Sequence, residues 1–177
     1  MNLVGGDQHF AALMTGGNSL YADITSANAH TLHLSAAAAT DYRGVFSGDV
    51  NVSVEGTSAT VFTGASTSVG TLTATNGANV TFAPDAKWVG DVRIAAGSRV
   101  TLQGAAFAEK KDLQIQGDGQ IVAEAGVVQK LDAVYVDGQR IPGGSYNANS
   151  GAVRYRAHFP GAGVVRVAGE ATLLLFR

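Results

Sequence analysis

The chain has 177 residues, a formal net charge of -2, 46% hydrophobic and 15% charged residues, and 23 glycines. A disordered tail is excluded, because disorder needs high charge with low hydrophobicity, and no apolar run approaches the roughly 20 residues of a membrane-spanning helix. With no cysteine, a disulfide scaffold, a thiolate-bound metal and a thiol nucleophile are excluded, and the near-neutral balance gives no electrostatic case for binding nucleic acid.

Residues 1–30 read as a less regular N-terminal rung or cap. The opening Met1-Asn2-Leu3-Val4-Gly5-Gly6-Asp7 has neither a basic start nor a long apolar stretch, so no signal peptide is expected there. A repeat begins with Thr31-Leu32-His33-Leu34 and is clearest in Asn51-Val52-Ser53-Val54-Glu55-Gly56, Thr71-Leu72-Thr73-Ala74-Thr75-Asn76-Gly77, Asp91-Val92-Arg93-Ile94-Ala95-Ala96-Gly97 and Asp112-Leu113-Gln114-Ile115-Gln116-Gly117. These blocks start 20, 20 and 21 residues apart. Each alternates apolar and polar residues, the signature of a strand with one face buried, and then ends at glycine. A second strand follows at a fixed offset: Thr60-Val61-Phe62, Val80-Thr81-Phe82, Val100-Thr101-Leu102 and Ile121-Val122-Ala123. Val69, Val89 and Val128 are expected to supply a third inward position, and Leu131 to Val136 a further rung. Residues 36–39 and 105–111 are expected to form a helical turn or two.

About six inward apolar side chains per rung contribute roughly 1.5–3 kcal/mol each when buried. Ordering the rung costs on the order of 1–2 kcal/mol per backbone residue. One rung therefore does not stand alone, but stacked rungs bury one another, as in a solenoid. The glycines at 56, 77, 97 and 117 fit corners. A β-sandwich also has short strands, yet gives no reason for a register kept through four blocks. The expected fold is all-β: a single-stranded parallel β-helix of about 20 residues per rung over residues 31–134, with residues 135–177 as C-terminal capping strands. In that cap Val153-Arg154-Tyr155-Arg156, Val164-Val165-Arg166-Val167 and Thr172 to Phe176 read as strands, and Pro142 and Pro160 suit chain reversal.

Two segments resemble a known family. Leu32-His33-Leu34-Ser35 through Tyr42-Arg43-Gly44, then Val50-Asn51-Val52, resembles the autotransporter-associated β-strand repeat, with four alanines in place of the usual glycine-alanine-asparagine part. Tyr135-Val136-Asp137-Gly138 through Pro142-Gly143-Gly144-Ser145-Tyr146, followed by Gly161-Ala162-Gly163-Val164-Val165-Arg166-Val167, is similar to the terminal module of secreted bacterial β-helix proteins. The resemblance implies a right-handed β-helix and a secreted or cell-surface bacterial location; the length suits one domain or one slice of a longer protein. It implies no particular chemistry.

The search for chemistry leaves a non-enzymatic structural or adhesive module, contacting a polysaccharide or cell-surface glycan and the adjoining repeats of a longer chain. No cofactor, metal, nucleic-acid partner or membrane insertion is expected. His30 and His33 read as surface or turn histidines, because zinc takes three or four protein ligands; His9 and His158 are isolated. The alternative is a fragment of a β-helical polysaccharide lyase or glycoside hydrolase. Asp91 and Asp112 hold equivalent rung positions and would lie about 5 Å apart, within the separation that paired glycosidase carboxylates need. Asp85, Lys87, Asp91 and Arg93 supply the residue types of a lyase site without its order. A threonine ladder for ice is interrupted, since Thr71 and Thr73 give way to Asp91 and Arg93. The ligand-binding candidate is Trp88, the one tryptophan, for which a place in the core or at a rung edge is the competing reading. If Val89 continues the inward column, alternation points Trp88 outward, where it would stack on a sugar ring.

Overall fold

The computed structural model describes residues 2, 6–10, 23–35 and 39–169. The chain is an all-β solenoid of about six stacked parallel turns. The long sheet contains, in spatial order, Gln8–Phe10, Ile24–Ser35, Phe46–Glu55, Leu72–Thr75, Val92–Ile94, Asp112–Ile115, Ala133–Val136 and Gln139–Arg140. A second sheet stacks Thr40–Tyr42, Ala59–Phe62, Asn79–Phe82, Arg99–Leu102 and Gln120–Ala123, all parallel.

The register follows the sequence period. Leu32 lies opposite Val52, Val52 opposite Leu72, Leu72 opposite Val92, Val92 opposite Leu113, and Leu113 opposite Val134. Each of these six side chains is at most 1% exposed, so they form one buried file. The second sheet adds a file of rings, Tyr42 to Phe62 at 6.1 Å between centroids and Phe62 to Phe82 at 5.5 Å, and Phe82 meets Phe107, beyond the strand Arg99–Leu102, at 5.3 Å. The corner after the long-sheet strand needs positive φ, and Gly97 (72°) and Gly117 (54°) supply it. Both corners are tied to the next rung, because Gly97 N–H donates to Asp118 Oδ1 at 2.6 Å and Gly117 N–H to Asp137 Oδ1 at 2.8 Å.

The regular register begins earlier than residue 31. Ile24 already pairs with Phe46, and a bulge between Ser26 and His30 absorbs the mismatch. At the other end, Ala133–Val136 crosses the expected boundary at residue 134 and is still parallel to Asp112–Ile115.

The third face departs from the sequence expectation by one residue. Val69 is 59% and Val128 42% exposed, and Val89 is half-buried. The inward side chains are instead Ser68, Trp88 and Gln129. The cause is backbone contact between rungs: a Cβ placed on Gly90 would lie 1.7 Å from the carbonyl oxygen of Gly70. That approach turns position 90 inward, hence 88 inward and 89 outward, since a one-residue slip reverses every facing. Residues 105–111 are not helical. Phe107 bridges to Trp88 in a parallel pair, and only a turn follows, closed by Lys111 N–H to Ala108 O at 3.2 Å.

Residues 139–169 close the C-terminal end. Gln139–Arg140 folds back antiparallel on Ala133–Val136. Val128–Leu131 pairs with Val164–Val167 in parallel, and Val164–Val167 pairs with Gly144–Tyr146 antiparallel. Residues 153–156 are not a strand but part of the 3-10 helix Val153–His158. A strand there would present another open edge. The helix packs instead against Gln120–Ala123, the last strand of the second sheet, with Tyr155 buried and His158 Nδ1 3.0 Å from Gly119 O. The strand expected over 172–176 and, apart from residue 39, the helical turn expected over 36–39 lie outside the described residues.

Candidate binding site at the end of the long sheet

Parallel stacking turns a sequence period into a column of side chains. On the outer face of the long sheet one column reads Ser53, Thr73, Arg93, Gln114 and Tyr135. Asp91 and Asp112 precede the paired Val92 and Leu113 by one residue each, so they are neighbours in the adjacent column. Asn51 belongs to that column too, and its Oδ1 accepts the Thr71 N–H at 2.8 Å.

The column ends in a concentration of acid. Burial, and after it the negative charges of Asp91 and Asp132, hold the Asp112 carboxyl above its ordinary value of 3.8, while Arg140 and Lys111 oppose the rise. Next to it a hollow of about 340 Å³ opens, lined by Asp112, Gln114, Ile115, Gln116, Tyr135 and Gly138. Its rim is a tight reversal at Asp137 and Gly138, both at positive φ (49° and 76°), from which the chain returns as Gln139–Arg140. Tyr135 and Gln114 are half-buried and Gln116 is exposed, so an aromatic face, two amides and a carboxylate border one concavity.

Trp88 is not part of this surface, and its expected outward orientation is corrected. The side chain is 1% exposed, its ring centroid lies 5.8 Å from that of Phe46, and its Nε1–H donates to Asp91 O at 3.3 Å. A ring inside the solenoid offers no face to a sugar. The signal that leads to Tyr135 is present in the sequence: the outward column, continued by 21 residues from Gln114, arrives at it.

Asp85 and Lys87 are exposed on the connection that follows Asn79–Phe82, whereas Asp91 and Arg93 belong to the long sheet, so the lyase-type residues occupy different faces. His33 has its Nε2 4.0 Å from Asp7 Oδ2 and its Nδ1 3.8 Å from Glu55 Oε1, contacts that link three successive strands. His30 pairs with Val50 beside the bulge. Among the described residues no group of three or more His, Cys, Asp or Glu side chains is arranged to hold a metal ion. No family model, no curated protein and no solved structure matches this chain.

Proposed function

We propose that this chain is a structural and adhesive β-solenoid module of a secreted or surface bacterial protein, without catalytic activity of its own, that contacts carbohydrate through its long sheet. The observation that carries this reading is the outer column of that sheet, where Ser53, Thr73, Arg93, Gln114 and Tyr135 present hydrogen-bonding groups at one-strand spacing on a rigid support. Extended polar polymers are complementary to such a row. The resemblance of the segments around Leu32 and Tyr135 to autotransporter-associated repeats and their terminal modules points the same way. The folded-back C-terminal end adds support, because a covered edge keeps a rod from adding further strands there. No helix among the described residues is long and apolar enough to cross a membrane. The test is a glycan array probed with the folded chain, beside adherence of chain-coated beads to polysaccharide. Binding to a defined glycan supports the reading; an array without signal contradicts it.

One observation favours a second reading, a fragment of a carbohydrate-active enzyme. Asp91 and Asp112 are neighbours in one column on adjacent strands, and two carboxyls flanking one position are what glycoside hydrolysis uses. Polysaccharide cleavage that disappears in both Asp91→Asn and Asp112→Asn would establish the enzyme; absence of cleavage across the glycans that bind would leave the adhesive module.

A further inference from the structure

We infer that the hollow bordered by Asp112, Gln114, Gln116 and Tyr135 is a subsite for one gluco-configured pyranose ring of a longer glycan. This inference rests on the carbohydrate-contacting reading above and assigns it a place and a stereochemistry.

The volume of about 340 Å³ falls at the small end of ligand sites, which span about 300–1,000 Å³. The chemistry of the lining selects among small ligands. Tyr135 is the half-exposed aromatic residue of the outer column, and Gln114 is its register partner on the neighbouring strand. A gluco-configured ring has equatorial hydroxyls and axial C–H bonds. Its flat C–H face fits against an aromatic ring, while its hydroxyls radiate in the plane of the sugar. Those hydroxyls would meet a carboxylate acceptor at Asp112 and amides, each both donor and acceptor, at Gln114 and Gln116. Gly138 adds no side chain that would obstruct the rim.

Charge is balanced around the hollow, because Arg140 and Lys111 oppose Asp91 and Asp132 at Asp112. Mannose- or galactose-configured rings place one hydroxyl axially, which obstructs one of the two C–H faces that a gluco-configured ring leaves open. A polymer also suits the geometry better than a free sugar. The hollow lies at the end of the column, and the remaining rings can run back along Arg93, Thr73 and Ser53.

The probe is cellopentaose, titrated into the full chain labelled with 15N and followed by amide chemical shifts. Shifts are expected at Gln114, Gln116, Tyr135 and Gly138. Tyr135→Ala should weaken binding at least tenfold, Tyr135→Phe should bind within twofold of wild type, and Asp112→Asn should weaken binding severalfold. Thr81→Ala, on the second sheet, should bind as wild type. Undiminished binding by a folded Tyr135→Ala, or shifts confined to another face, overturns the subsite and leaves the adhesive reading standing. A wild-type chain that binds an array glycan but not cellopentaose overturns the gluco assignment alone. A wild-type chain that binds neither overturns the inference and the reading together.

Discussion

The side-chain amide of Gln129 clasps the backbone of Phe107: Phe107 N–H donates to Oε1 and Nε2–H donates to Phe107 O, both at 2.9 Å. Gln129 is 1% exposed, so both backbone groups are satisfied away from water by a side chain acting as a short length of neighbouring strand. Leaving a buried polar group unpaired costs about 1–3 kcal/mol. Gln129→Leu leaves two such groups on Phe107 and is expected to lower stability by roughly 3 kcal/mol, read from the midpoint of urea unfolding at unchanged slope. A loss within about 0.5 kcal/mol would mean that the clasp is not formed in solution.

Trp88 gives a spectroscopic check on the third face. The chain has one tryptophan, and its side chain is 1% exposed. Emission of the folded protein should be blue-shifted and insensitive to iodide, becoming red-shifted and quenchable on unfolding. Emission already at the water-exposed wavelength in the native state would restore the outward orientation.

Asp112 ties the site to stability. Its folded pKa is raised above 3.8, first by burial and then by Asp91 and Asp132. Between the unfolded value and the raised folded value the native state binds more protons than the unfolded state. Stability therefore falls as pH rises through that window and is regained on acidification. Asp112→Asn removes the charge, so the variant should be more stable than wild type at neutral pH. Its advantage should shrink in mild acid, where Asp112 becomes protonated. Parallel pH–stability curves for the two proteins would contradict the assigned environment.

Thr60 occupies an inward position whose register partner in the next rung is Val80, which in turn lies opposite Val100. Its hydroxyl is buried with no hydrogen-bond partner. Thr60→Val keeps the shape of the side chain and removes the unpaired group, and it should raise stability by about 1 kcal/mol. Thermal unfolding checks this; a lower midpoint would show that the hydroxyl has a partner.

The long and second sheets were legible in the sequence for a physical reason. Their inward positions are large apolar residues such as Leu72, Val92 and Phe82, alternating with exposed or half-exposed polar ones, so period two and the 20-residue repeat reinforce each other. The third face lacks that contrast. Its buried positions include Ser66, Ser68, Ala86 and Gln129, while Val69 and Val128 lie outside. Apolarity is therefore a misleading guide there, and following the valines turned Trp88 the wrong way. What determines the facing is the contact between the Gly70 and Gly90 backbones, together with hydroxyls bonding to the preceding rung, as Ser68 Oγ does to Val50 O at 2.8 Å. The neighbouring carboxylates Asp91 and Asp112 could be read from spacing alone. The hollow beside them could not, because it depends on the reversal at Asp137 and Gly138.

The most direct test of the stacked register uses the absence of native cysteine. Nitroxide pairs attached through cysteine at Ser53 with Thr73, Ser53 with Arg93, and Ser53 with Gln114 span one, two and three strand steps along the outer column. Their separations, measured by electron paramagnetic resonance, should rise by about 4.8 Å per step, to roughly 14 Å for the last pair. Separations that do not grow steadily along this series would contradict the solenoid, and with it the site assigned to its long sheet.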